Sequence, residues 1–229
     1  MNSGPLLFLG LFAAMVCSWL GFIMGPQLQI GNLPQTNTVV VGDALSQTYP
    51  VALSGEAHQG EEVYRANGCA ACHTQMVRPR DMGPDISHGW GIRRSVAEDY
   101  LFEQPVLLGS QRVGPDLSNY GRRSDINGIL MRLYDPRSIV PDSIMPSYRF
   151  LFQTRKIEGA PASDALVLPE KDAPEPGYEI IPRPQARALA AYLLNLRQDG
   201  YLYEAPPPAL PKTNAPPKTN AVAATAVKK

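Results

Sequence analysis

The sequence predicts an all-α protein with a single membrane helix at its amino terminus, a helical domain after it and a disordered carboxyl-terminal tail. Three observations lead to this prediction: an uncharged apolar run at the start, two later segments with apolar residues at helical spacing, and a Pro-, Ala- and Lys-rich end. That end, residues 204–229, repeats Pro-Lys-Thr-Asn-Ala and has too little apolar content for a core.

Lys plus Arg equals Asp plus Glu at 21 each, so the net charge gives no argument for nucleic-acid binding.

The first predicted element is a membrane anchor over residues 5–25, which contain no charged side chain. An α-helix needs about 20 apolar residues to cross a bilayer. A cleaved signal peptide is the alternative, but no Lys or Arg precedes the run and no small-residue cleavage site follows it. We therefore expect an uncleaved, single-pass anchor, followed by a polar, turn-rich connector over residues 26–55.

Two amphipathic helices are predicted in the soluble part, over residues 56–68 and 184–197. In each helix, apolar side chains recur three and four residues apart and so share one face. Gly60 has no side chain and would let the two helix backbones approach closely. Residues 159–183 are rich in Pro and charged residues and are expected to form an exposed insertion. The soluble domain as a whole is predicted to cover residues 56–200.

The sequence Cys69-Ala-Ala-Cys72-His73 follows the first of these helices, and C-x-x-C-H is the attachment signature of c-type haem. The spacing lets both thiols form thioethers with the haem vinyl groups and places His73 beneath the ring as an iron ligand. A thioredoxin-like pair would need a βαβ context, and a zinc site would need a second ligand pair, whereas the remaining cysteine, Cys17, lies in the apolar run. We expect one covalent haem c, and the two helices are expected to cross each other in a class I cytochrome c domain.

The orientation in the membrane follows from this chemistry. No Lys or Arg occurs before Arg65, so the distribution of positive charge does not orient the anchor. Covalent haem attachment takes place outside the bacterial cytoplasm. We therefore expect a single-pass protein of the bacterial inner membrane whose haem domain faces the periplasm.

The second axial ligand of the iron is expected to be a methionine, because a thioether raises the reduction potential of an electron-carrying haem. Met76 and Met82 follow the ligating histidine closely and cannot easily reach the opposite ring face. Met131 lies in a predicted helix, where core packing is the usual role. Met145 is followed by a proline that stiffens its loop, and it is the preferred ligand, with His88 as the alternative.

The ligating histidine also needs an acceptor for its other ring N–H, which fixes the orientation of the ring. A Gly-Pro carbonyl can serve, and both Pro84 and Pro115 follow a glycine. Spacing favours Pro84, whereas the Leu117 that follows the second motif favours Pro115. The residues proposed to contact the haem propionates are Arg78, Arg112, Trp90 and Tyr148.

Three stretches carry a more specific pattern: residues 69–79, with His-Thr-Gln-Met-Val-Arg-Pro, residues 109–117 and residues 135–148. Together with the anchor, they resemble the membrane-anchored mono-haem subunit II of cbb3-type cytochrome c oxidases, the C family of haem–copper oxidases. The resemblance favours Pro115 over Pro84 as the acceptor for the histidine. The haem-binding residues that it implies are Cys69, Cys72, His73 and Met145.

The function that the resemblance implies is electron transfer without catalysis by the chain itself. The subunit would accept one electron from a di-haem cytochrome c subunit or another c-type cytochrome. It would pass the electron to the catalytic subunit I of the haem–copper oxidase, which reduces oxygen. The alternatives are a free-standing anchored mono-haem cytochrome c, the haem c subunit of a nitric oxide reductase, and a haem-based sensor or peroxidase-like enzyme with an open iron position.

Overall fold

A computed structural model of the chain describes residues 3–39, 46–169 and 172–207. The amino-terminal apolar run forms one continuous helix over Gly4–Ile30, with a mean hydropathy of 2.3 in its most apolar window. The predicted disordered tail, residues 204–229, lies outside the described residues from 208 onward.

The amino-terminal helix has three sections that continue one another. They are α1 (Gly4–Trp19), a π-helical section (Leu20–Met24) and α2 (Gly25–Ile30). The large apolar side chains of this helix are exposed rather than packed on the rest of the described chain. By length and composition the helix can cross a membrane, and lipid or another membrane protein would cover its apolar surface.

The soluble part is built around two helices that cross at a glycine. Its α-helices, within the described residues, are α3 (Gly55–Ala66), α4 (Ile126–Tyr134) and α5 (Pro184–Asn195). Helices α3 and α5 pack on each other, and a Cβ on Gly60 would collide with the backbone carbonyl of Ala188. The rings of Tyr64 and Tyr192 meet at the same crossing, with centroids 5.3 Å apart. The close approach expected at Gly60 is therefore present.

The hydrophobic core lies where α4 and the loops after the cysteine motif meet this helix pair. Its buried members come from both crossing helices, from α4, from two short strands and from the loops and turns between these elements. They are Tyr64, Leu117, Tyr120, Ile129, Leu130, Leu133, Leu151, Phe152, Ile180, Ala186, Leu189, Ala190, Tyr192, Leu193 and Leu196.

The prediction of an all-α fold is wrong, because the described residues also form two antiparallel hairpins. One pairs β1 (Thr36–Val39) with β2 (Ser46–Tyr49), and the other pairs β3 (Phe152–Lys156) with β4 (Tyr178–Pro182). A two-stranded sheet is marginal by itself. The second hairpin is stabilised by packing, since it contributes two apolar side chains to the core. The fold is therefore mixed α and β. Strands of four or five residues are too short to show a period that separates strand from helix.

The described part of residues 159–183 packs on the domain through the second hairpin. Glu179 in β4 is buried, and its carboxylate accepts from Arg155 Nε and from the Ala162 N–H, each at 2.7 Å. The Leu166 N–H donates to the carbonyl of Ile180 at 2.8 Å. These bonds hold the segment against β4.

A buried ion cluster, here called the Arg93 cluster and formed by Tyr49, Arg93 and Asp99, joins distant parts of the chain. Arg93 donates to both carboxylate oxygens of Asp99, at 2.6 and 2.9 Å, and to the carbonyl of Gly200 at 2.7 Å. The Tyr49 hydroxyl donates to Asp99 at 2.5 Å. Burial and the neighbouring Asp99 raise the pKa of Tyr49, so its hydroxyl stays a donor. The cluster ties β2, the central loop and the segment after α5 together.

Candidate cofactor site

An apolar cavity of about 690 Å³ lies beside the C-x-x-C-H turn. Its volume is in the range of cofactor sites, and its walls come from the cysteine turn, α4, α5 and the loop before β3. All four residues that the sequence predicts as haem ligands or attachment points lie in its lining. They are Cys69, Cys72, His73 and Met145.

The cysteine turn is shaped by a change of backbone direction directly after α3. Gly68 adopts a left-handed conformation with φ +67°, which glycine tolerates without strain. The chain then makes one 3₁₀ turn, in which the N–H groups of Cys72 and His73 donate to the carbonyl of Cys69 at 3.2 and 3.0 Å. This turn brings the two cysteines and the histidine to the same cavity wall.

The ring of His73 is held by the Gly114-Pro115 segment. His73 Nδ1 lies 2.8 Å from the carbonyl oxygen of Pro115, and since a carbonyl only accepts, Nδ1 carries the proton and Nε2 keeps its lone pair. A Cβ on Gly114 would collide with the imidazole ring, so only glycine fits there. Burial lowers the pKa of His73, against the opposing effect of the Pro115 bond, which favours a neutral imidazole suited to a metal.

The alternative acceptor and the alternative ligand lie elsewhere. The Pro84 carbonyl accepts from the His88 N–H and from Ser87 Oγ, each at 2.8 Å. The ring of His88 packs edge-on against Trp90, with centroids 5.0 Å apart. Neither Pro84 nor His88 belongs to the lining of the cavity.

Met145 enters the cavity wall from a loop that is fastened to α4. The Tyr148 N–H donates to the carbonyl of Leu133 at 2.8 Å, and the Met145 N–H donates to Ser143 Oγ at 3.3 Å. Tyr148 also lines the cavity. The other methionines that the sequence raised as ligands lie outside the lining: Met76, Met82 and Met131.

Arg78 and Arg112 do not line the cavity, because both bind Asp85, whose carboxylate is fully buried. Arg78 reaches this carboxylate at 2.9 Å, and Arg112 also donates to the carbonyl of Met76 at 2.5 Å. Burial alone would raise the pKa of Asp85, but the bonds from the two guanidinium groups outweigh it and lower that pKa. The guanidinium that does line the cavity, among the described residues, belongs to Arg132.

Functional candidates in the wall were missed by sequence reasoning. Within the described part of the chain, the hydroxyls of Tyr64 and Tyr120 and the Nε of Arg132 are buried without a hydrogen-bond partner, and all three residues line the cavity. Unpaired buried polar atoms usually indicate a missing partner group. A hydroxyl and a guanidinium suit a carboxylate such as a haem propionate, so the residues present fit a haem. The sequence signal was weak: Arg132 is one polar position in an apolar helix.

Comparison with known proteins gives one family. The family model described as "Cytochrome C oxidase, mono-heme subunit/FixO" matches residues 35–169. The matched region includes the cysteine turn, the Gly114-Pro115 segment and the Met145 loop. A comparison with curated proteins finds no match to the chain.

Proposed function

The chain belongs to the FixO family of mono-haem cytochrome c oxidase subunits, and on this basis we propose that it relays single electrons through one covalent haem c to the catalytic subunit of a cbb3-type oxidase. Membership makes it an accessory electron-transfer subunit with one haem. The observation that carries the finer proposal is the single apolar cavity wall that holds Cys69, Cys72, His73 and Met145.

The two cysteines are assigned to covalent attachment. Each thiol would hold the haem by a thioether bond to one of its vinyl groups; addition of S–H across that double bond would need neither oxidant nor reductant. Burial raises the pKa of Cys69 to about 11, and the folded chain therefore presents it as a thiol. A haem held here supplies reversible one-electron oxidation and reduction.

The remaining wall residues bind and orient. His73 would hold the haem iron through Nε2, with its ring fixed by Pro115, and Met145 would hold it through its thioether. The hydroxyl of Tyr120 and the guanidinium of Arg132 are assigned to the propionates, in place of Arg78 and Arg112. This assignment supplies partners for polar atoms that otherwise have none in the described residues.

The placement of the domain supports electron exchange with partner subunits. The helix Gly4–Ile30 anchors the chain in the inner membrane, and the haem domain is proposed to face the periplasm, where haem attachment takes place. Val113, Val140 and Ile144 line the cavity and are 51%, 45% and 74% exposed, so one edge of the site reaches the surface. A di-haem subunit or another c-type cytochrome is the proposed donor, and the catalytic haem–copper subunit is the proposed acceptor.

Covalent attachment is tested by mass analysis of the full chain after denaturation. We expect the mass of one haem to remain on the wild-type chain and to be lost in a Cys69→Ala, Cys72→Ala variant. Cys17→Ala is the matched control, because Cys17 lies in the membrane helix, and it should keep the haem. A wild-type chain with no added haem would contradict the proposal, and purification without oxidase subunits would favour a free-standing cytochrome.

The assignment of Met145 is tested by spectroscopy and turnover. Met145→Ala should abolish the near-infrared charge-transfer band of sulfur-ligated ferric haem and reduce oxidase turnover. Met82→Leu is the control, since Met82 is exposed and lies outside the cavity. An unchanged band in Met145→Ala would exclude this methionine as the ligand.

A further inference from the structure

We propose that Asp116 is a positioning residue that lowers the reduction potential of the haem by holding the Pro115 carbonyl against His73. The inference rests on the proposed function, because it presumes that His73 binds iron. Asp116 does not line the cavity and would act only through its neighbours.

The carboxylate of Asp116 bonds two segments at once. It is fully buried, and its Oδ2 accepts from Thr74 Oγ1 at 2.7 Å and from the Met76 N–H at 2.8 Å. Its Oδ1 accepts from the Ser118 N–H at 2.9 Å. One side chain therefore joins the segment that follows the ligating histidine to the segment that supplies the acceptor carbonyl.

The two segments are also joined by backbone hydrogen bonds, but none of these is made by Pro115. The Gly114 N–H donates to the carbonyl of Cys72 at 2.9 Å, and the Leu117 N–H donates to the carbonyl of Thr74 at 2.8 Å. Pro115, which lies between these two bonds, has no N–H of its own to add a third. The direction of its carbonyl is therefore set by the residues on either side, and Asp116 is the nearer of these to the carbonyl.

Arg112, which the sequence predicted to contact the haem, instead binds the residues around Asp116. Its guanidinium donates to Thr74 Oγ1 at 2.9 Å, lies 3.4 Å from Asp116 Oδ2 and also pairs with Asp85. A buried carboxylate without a cation would be costly. Arg112 thus compensates the charge of the Asp116 carboxylate beneath the site.

The sign of the effect follows from the bond that Asp116 supports. A firm bond from Nδ1–H to a carbonyl makes Nε2 of His73 a stronger electron donor. A stronger donor favours ferric over ferrous iron and lowers the reduction potential. Loosening the Pro115 carbonyl should therefore raise the potential and expose the Nδ1 proton to exchange.

Thr74→Val separates positioning from charge, because valine removes the hydroxyl that binds Asp116 and Arg112 but leaves both of their charges in place. The full haem-loaded chain in detergent would be studied by spectroelectrochemical titration and by solvent exchange of the His73 Nδ1 proton in the ferrous state. We expect Thr74→Val to raise the potential and to speed exchange by about tenfold, the change that corresponds to one hydrogen bond. Thr74→Ser should restore both wild-type values, and Asp116→Ala should exceed Thr74→Val.

The outcomes distinguish this inference from the function on which it rests. Wild-type potential and exchange in a haem-loaded Thr74→Val chain would overturn the positioning role, even if Asp116→Ala raises the potential, since that shift would then come from charge. A wild-type chain without haem would instead overturn the proposed function. If Asp116→Ala fails to fold, the Thr74→Val and Thr74→Ser pair still decides.

Discussion

The cofactor cavity and the Arg93 cluster both contain buried polar groups, yet they differ in how these groups are paired. In the cavity wall, the Tyr120 hydroxyl and the Nε of Arg132 have no partner within the described residues. In the cluster, Arg93 uses Nε and both terminal nitrogens in hydrogen bonds, and Tyr49 donates to Asp99. The cavity wall is therefore completed only by a ligand, whereas the cluster is complete in the protein alone.

This difference separates two roles of buried polarity. The cluster joins β2, the central loop and the segment after α5, so it should govern stability and leave the haem unaffected. The cavity wall presents its polar atoms to the proposed haem, so changes there should alter spectrum and potential more than folding. Variants that remove one polar group from each region can test this division.

The largest expected effect is the loss of stability in Arg93→Ala. The side chains of Arg93 and Asp99 are 1% and 0% exposed, and removing the arginine leaves a buried carboxylate without its cation. Breaking a buried pair in this way costs about 3–5 kcal/mol. Chemical denaturation of the haem-loaded chain should show that loss, with an unchanged haem spectrum in the folded fraction.

Arg94→Ala is the matched control for this variant. Arg94 is the next residue, is exposed and makes one hydrogen bond, to the carbonyl of Glu204 at 2.8 Å. Its loss should cost about 0.5 kcal/mol or less. Equal losses in the two variants would mean that the Arg93 cluster adds nothing to stability beyond a surface contact.

The same contrast explains what could be predicted from the sequence. The cysteine motif and the crossing at Gly60 were read from local spacing, because attachment chemistry and helix periodicity act over a few residues. The Arg93 cluster joins residues from Tyr49 to Gly200, and no local pattern links them. The hairpins were missed because their strands are too short for a period. The sequence analysis assigned Arg112 to a haem propionate. Its true partner, the buried carboxylate of Asp85, lies 27 residues away along the chain and leaves no local signal in the sequence.

A second, pH-dependent effect should appear at Glu103, which lines a polar cavity of about 470 Å³ together with Tyr49 and Asp99. Unlike Asp99, Glu103 makes no ion pair among the described residues, and burial, with the nearby carboxylates of Glu61 and Asp99, raises its pKa from 4.5 to about 7. The folded chain therefore holds a proton that the unfolded chain releases. Below the unfolded pKa, the protonated Glu103 contributes its full share to the free energy of unfolding. This contribution is lost as the pH rises from 4.5 through the folded pKa of about 7.

Glu103→Gln should therefore match the wild-type chain near pH 4 and be more stable by about 3 kcal/mol near pH 8. Denaturation midpoints at the two pH values give the measurement. Glu62→Gln is the control, because Glu62 is exposed and forms a surface pair with Arg65, and its effect on stability should be small. A pH-independent Glu103→Gln would show that the carboxyl is solvated in the folded chain.

The smallest and most selective effect should come from a pair of matched Tyr→Phe changes. Tyr49→Phe removes a hydroxyl that donates to a buried carboxylate, and it should cost about 1.5 kcal/mol without altering the haem spectrum. Tyr120→Phe removes a hydroxyl that has no protein partner in the described residues, so in a haem-free Cys69→Ala, Cys72→Ala chain it should change stability by less than about 0.5 kcal/mol. If that hydroxyl binds a propionate, the same variant should shift the reduction potential. The opposite result would contradict this division. If Tyr120→Phe unfolded the chain and Tyr49→Phe shifted the reduction potential, the cavity wall would govern stability and the Arg93 cluster would tune the haem.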